Sequence, residues 1–128
     1  MAEPVIRAMD EKKAVPVERA RGATIEVLLG AADGAPRFAT RRFTIAPGGR
    51  IPCHRHDDIE HEQVVLEGTM VLGLDDRVVE VSGGDCLLIP AGVAHWYENR
   101  GLLPVRFLCM VPLTDTYQTE WLEPPAAE

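Results

Sequence analysis

The stretch that decides the fold runs Gly48-Gly49-Arg50-Ile51-Pro52-Cys53-His54-Arg55-His56-Asp57-Asp58-Ile59-Glu60-His61 and continues through Glu62 to Glu67-Gly68. A second stretch answers it: Gly84-Asp85-Cys86-Leu87-Leu88-Ile89-Pro90-Ala91-Gly92-Val93-Ala94-His95, ending at Asn99. The chain has 4 histidines, and all lie in these two segments. Successive strand side chains point to opposite faces, so the pair His54 and His56 aims two imidazoles at one point. The polar residues 55–60 suit a short loop, after which His61 opens the next strand and faces back. His95 follows the turn Pro90-Ala91-Gly92 and begins another strand. Neutral imidazole is the commonest protein ligand for transition metals. The spacing therefore predicts one divalent metal held by His54, His56, His61 and His95. Imidazole suits Zn, Cu, Fe and Ni.

Working outward, the rest of the chain reads as short strands between turn residues. Thr24 to Leu29 is apolar and β-branched and ends at Gly30, and Phe38 to Ile45 is a second strand that stops at Pro47-Gly48-Gly49. Gln63 to Leu66, Thr69 to Leu74, Arg77 to Val81, Cys86 to Ile89, Ala94 to Glu98 and Val105 to Val111 complete the series, with Asp75-Asp76 as a tight turn. Gln118 to Leu122 reads as an edge strand, and the final PPAAE as frayed. Such spacing predicts an all-β sandwich or barrel. At 128 residues this is one domain, with a core over about 23–112 and extensions at 1–22 and 113–128.

Composition narrows the classes. Hydrophobic residues make up 46% and charged residues 26%, a globular balance. A net charge of −7 argues against nucleic acid or an anionic membrane as partner. The 3 cysteines, Cys53, Cys86 and Cys109, form no even framework and read as reduced thiols. No apolar run is long enough for a signal peptide or a membrane span, so the expectation is a soluble, cytoplasmic protein.

The two motifs resemble those of the cupins. The first cupin motif reads Gly, five residues, His-x-His, three or four residues, Glu, six residues, Gly; here it is Gly48, His54, His56, His61 and Gly68. The second reads Gly, five residues, Pro-x-Gly, two residues, His, three residues, Asn; here it is Gly84, Pro90, Gly92, His95 and Asn99. The resemblance spans about residues 38–112 and implies a double-stranded β-helix, or jelly-roll barrel. One position departs from it: His61 stands where most metal-binding cupins carry glutamate. Glu60-His61-Glu62 resembles a smaller group of single-domain cupins with four histidine ligands. An all-imidazole shell leaves the ion its full charge and favours an anionic substrate. The resemblance adds Mn to the candidate metals and implies a homodimer, with Val5-Ile6, Ala14 to Val17 and Trp121 as candidate cover for strand edges.

Strict alternation turns Pro52 inward with the histidines and Glu62 outward. It places Gln63 and Val65 beside His61, and Tyr97 beside His95. Tyr97 either contacts substrate or only packs. Ala39, Arg41, Phe43 and Ile45 share an inward face. The four-histidine group has an arginine at the place of Arg41, which implies that Arg41 holds a substrate carboxylate or enolate; the alternative is a head that escapes at the barrel rim. Phe107, Cys109 and Val111 face the pocket, where Cys109 is either a soft group near the ion or a structural thiol. Trp96 faces outward, and Cys53 points away from the ion.

Three readings of function follow. The first is a metal-dependent oxidoreductase of dioxygenase type acting on a small organic metabolite. The second is a non-redox isomerase or lyase. The third is a small-molecule or metal-binding module without turnover.

Overall fold

The structure is a computed structural model, and it describes residues 3–127. Ten strands follow in order among the described residues: β1 (Val15–Pro16), β2 (Arg21–Leu29), β3 (Phe38–Arg55), β4 (His61–Glu67), β5 (Thr69–Leu74), β6 (Arg77–Ser82), β7 (Cys86–Ile89), β8 (His95–Glu98), β9 (Val105–Pro112) and β10 (Glu120–Trp121). No helix of the described residues is long and apolar enough to cross a membrane.

The long strand β3 organises the barrel. Its first half, Phe38 to Ile45, pairs with β2 on one side and β9 on the other. Its second half pairs with β8 and with β10. Beyond these, β9 pairs with β4 and β4 with β7, while β8 pairs with β5 and β5 with β6. The two halves of β3 thus belong to opposite walls, and the sheet curls over on itself as a jelly roll.

The expected break at Pro47-Gly48-Gly49 is therefore a bend within one strand. Gly48 supplies a φ of +81°, and a Cβ on Gly49 would lie 2.7 Å from Ile45 Cγ2 and 2.8 Å from the Gly22 carbonyl oxygen. Glycine lets the backbone turn and close up there, and the ladder to β2 resumes beyond the corner at Arg21 and Arg50. Asn99, the last residue of the second motif, fastens this corner. Its backbone N–H donates to the Gly49 carbonyl, and its carbonyl accepts from Gly48 N–H. Its buried Nδ2 donates to the Ile45 carbonyl at 2.9 Å and to the Leu103 carbonyl at 2.8 Å, and its Oδ1 accepts from Gly101 N–H.

Inside, Ile45, Leu72, Val105 and Phe107 are fully enclosed. Burial of each such side chain contributes about 1.5–3 kcal/mol. Phe107 stacks on Phe43 at 5.0 Å and on Tyr97 at 5.1 Å between ring centroids, tying the two walls together. Trp96 does face outward. It lies across Gly73, where a Cβ would be 1.9 Å from its Nε1, and the Arg50 guanidinium covers its ring at 4.5 Å.

The extensions are not loose ends. β1 adds to β2, and the expected tail strand forms as the shorter β10. Within the stretch expected to fray, Ala126 N–H donates to the Arg19 carbonyl and the Ala127 carbonyl accepts from Arg21; Glu128 lies outside the described residues.

Replacing Asn99 by Ala leaves two carbonyls and one N–H without their partner. The expected loss of stability is about 2–4 kcal/mol, read from the urea midpoint of the purified variant. A change below about 0.5 kcal/mol would contradict the role given to this side chain.

Candidate metal centre

Backbone carbonyls set the histidines. Pro52, within β3, has no N–H for the ladder to β8, and the register slips between Ile51 and His54. The bulge turns the freed Pro52 carbonyl onto His54 Nδ1 at 2.8 Å. His95 Nδ1 faces the Val93 carbonyl at 3.0 Å. His56 Nδ1 faces the Gln118 carbonyl at 3.0 Å, with Thr119 Oγ1 at 3.2 Å. A carbonyl can only accept, so each Nδ1 carries the proton. Each neutral ring then presents its Nε2 lone pair, the arrangement that fixes tautomer and aim in metal-ligating histidines.

The ligand nitrogens of His54, His56 and His95 all lie within 4.8 Å of one another, and the three residues are buried. His61 is buried beside them, its ring 5.0 Å from that of His56 and 5.3 Å from that of His95, although its nitrogens fall outside the trio's spacing. Both His61 nitrogens, and His95 Nε2, are buried without a hydrogen-bond partner. Unpaired buried polar atoms are costly. A cation bound by nitrogen lone pairs removes that cost at His95 Nε2 and at one nitrogen of His61, so the residues present fit a metal ion. Burial is the main cause that holds the imidazoles neutral. It pushes His54 down to about 4, His95 to about 3 and His61 to about 2, and lowers His56 as well.

A cavity of about 280 Å³ opens beside the trio. Arg41, Phe43, Gln63, Tyr97 and Cys109 line it. Phe107 stands behind the wall rather than on it, backing Phe43 and Tyr97. The bulge puts Ile51 on the wall where strict alternation predicts Pro52. Arg41 reaches into the barrel. Its guanidinium donates to Cys109 Sγ at 3.3 Å and lies 5.3 Å from the Phe43 ring, and its Nε is buried without a partner. Gln63 Nε2 donates to the Tyr97 hydroxyl at 2.8 Å, and Gln63 Oε1 is left unpaired. Burial drives the Tyr97 hydroxyl well above its ordinary range, so it stays protonated.

The family model described as "Cupin domain" matches residues 41–111. The chain is a cupin. The structure of the polyketide cyclase RemF from Streptomyces resistomycificus superposes on this cupin with a TM-score of 0.85. It is 33% identical, over 96% of this chain and 87% of that one. Tetracenomycin polyketide synthase protein TcmJ from Streptomyces glaucescens is 26% identical over 75% of this cupin and 64% of its own length. A mannose-1-phosphate guanylyltransferase from Escherichia coli is 32% identical over 57% of this cupin, which spans only 16% of that enzyme.

Sequence reasoning missed the roof of the cavity. Pro16, Val17 and Glu18 from the N-terminal extension, and Tyr117, Thr119 and Trp121 from the C-terminal one, line its mouth. The Tyr117 hydroxyl lies 3.5 Å from His56 Nε2, and the Trp121 ring lies 4.9 Å from that of His54. Gln118 acts through its carbonyl, which leaves no side-chain signature. The expected strand around Gln118 to Leu122 was the available signal, and it lands on the histidine-bearing β3.

The buried neutral imidazoles make the metal-free protein acid-sensitive. Below the ordinary histidine value of about 6.5 the unfolded chain binds protons that the folded chain refuses, so stability falls with pH. Each such histidine adds about 1.4 kcal/mol per pH unit until its folded value is reached. Urea midpoints of the metal-free protein are expected to drop steeply as the pH falls below about 6.5. Midpoints independent of pH between about 6.5 and 4 would contradict burial of the rings in neutral form.

Proposed function

We propose that this cupin is a metal-dependent enzyme that closes rings in enolisable poly-carbonyl compounds, with His54, His56, His61 and His95 holding one divalent ion. The observation that carries the reading is the set of neutral imidazoles beside an aromatic-walled cavity that holds an arginine. The likeness to RemF along nearly the whole chain supports the substrate class.

A bound divalent ion supplies Lewis-acid polarisation of a substrate oxygen. The chain's own residues do the remaining work. The Arg41 guanidinium, cationic and with its Nε free, holds an enolate oxygen. Gln63 Oε1 accepts a hydrogen bond from a substrate hydroxyl, and its amide is oriented by the bond to Tyr97. Phe43, Tyr97, Ile51 and Trp121 exclude water and confine the folded substrate so that its reacting carbons meet. The carbon–carbon bond forms between an α-carbon, which gives up one proton, and a carbonyl carbon, whose oxygen takes that proton up as a hydroxyl. The α-carbon then gives up its second proton, the hydroxyl takes it and leaves as water, and a carbon–carbon double bond remains. No oxidant is consumed. The cavity of about 280 Å³ admits a compact part of such a molecule.

Dioxygenation of the same substrates is the second reading. It is favoured by the lack of a buried carboxylate on the cavity wall, where Glu18, the one acid, is exposed. A cytosolic homodimer belongs to the same proposal, supported by apolar Val27, Leu29 and Phe38 left exposed on β2 and β3.

Zinc-loaded protein is expected to convert an aromatic poly-β-ketone to a cyclised product, less one water, under strictly anaerobic conditions, as followed by mass spectrometry. Product formation only with oxygen, matched by oxygen uptake, would move the assignment to dioxygenation. With Arg41→Ala, kcat/KM is expected to fall about 100-fold; unchanged turnover and affinity would remove Arg41 from the site.

A further inference from the structure

The C-terminal extension is clamped to the site by its own backbone and charges. Gln118 and Thr119 grip His56 Nδ1. Glu120 pairs with Arg55, and Glu123 with Arg50 and with Cys53 N–H. Leu122 N–H donates to the Cys53 carbonyl, and Arg19 lies 5.0 Å from the Trp121 ring. Tyr117 sits at the upstream end of this clamp, preceded by local bonds between Thr114 and Thr116 and by the bond from Leu113 N–H to the Arg37 carbonyl.

Its placement is specific. The Tyr117 ring packs on His56 with centroids 4.8 Å apart, and its hydroxyl faces His56 Nε2. That nitrogen bears the lone pair, because Nδ1 is committed to Gln118. When the lone pair is given to a cation, the Tyr117 hydroxyl loses its acceptor and its proton is free for another. Tyr117 and Arg41 line the same cavity. Tyr117 and Arg41 thus bring donors to the lining of one cavity, Arg41 with its Nε unpartnered, and Gln63 brings the unpartnered acceptor Oε1. A donor-rich lining beside a cation site matches an acceptor oxygen of a chelating ligand.

We propose that Tyr117 contacts the substrate, donating a hydrogen bond to the enol or enolate oxygen held between His56 and Arg41. This rests on the metal-site and substrate-class reading above, and it assigns to the C-terminal extension a share of substrate recognition. Tyr117 is 38% exposed, so Tyr117→Phe removes one hydroxyl without opening the core.

The test uses the full chain loaded with Co(II), titrated with acetylacetone as a chelating enol and with imidazole, a metal ligand that offers no oxygen, and followed in the visible spectrum. In Tyr117→Phe the affinity for acetylacetone is expected to fall about fivefold, the worth of a single hydrogen bond, with cobalt content and imidazole affinity unchanged. Acetylacetone affinities equal within about twofold, an equal loss for both ligands, or no acetylacetone binding by the parent protein would each overturn the proposal. The contrast is read without turnover. If it persists in a protein that cyclises nothing, the ring-closure reading fails and this assignment stands; if cyclisation proceeds and the contrast is missing, the reverse holds.

Discussion

Three backbone carbonyls, those of Pro52, Val93 and Gln118, each take the Nδ1 proton of one histidine, and what is distinctive about this barrel depends on those bonds. They set the tautomer and aim three Nε2 lone pairs inward. Without them the rings could turn or exchange protons, and burial would favour whichever state left fewest atoms unpaired. The carbonyls come from three different places: a proline bulge in β3, the turn before β8 and the C-terminal extension. The site is thus a product of the closed fold and not of any one segment.

The same logic explains the surrounding wall. The long strand β3 carries Arg41 and Phe43 on one wall and His54 on the other, so its bend at Gly48-Gly49 sets the distance between the cationic corner and the imidazoles. Asn99 fixes that bend and closes the second motif. The spacing of the two motifs therefore records one mechanical requirement, that the corner of β3 and the strand bearing His95 be fastened together. Phe107 bridges Phe43 and Tyr97, which makes the cavity wall rigid at its apolar side.

Much of this is legible in the residues. Strand period alone groups His54 with His56, although β3 ends between them at Arg55, and it puts His95 with Tyr97, because β8 is regular. It places Gln63 and Cys109 on the wall for the same reason. It errs where the ladder is irregular: at Pro52 the missing N–H makes a bulge, and Ile51 takes the cavity position instead. It places Phe107 on the correct face but cannot tell the wall from the layer behind it, since depth depends on the size of Phe43 and Tyr97. It is silent on Gln118, whose contribution is a carbonyl, and on Tyr117, whose place depends on where the extension docks. The family resemblance agrees with the fold, and the chain's own departure from it, His61 for glutamate, leaves a buried ring with both nitrogens unpaired.

The most direct measurement is the proton NMR spectrum of the protein titrated with Co(II). Saturation at one ion per chain, with at least three hyperfine-shifted resonances that vanish in deuterated water, would report Nδ1–H protons on rings bound through Nε2. A stoichiometry other than one, or saturation without such exchangeable signals, would contradict the account of how the carbonyls aim the histidines.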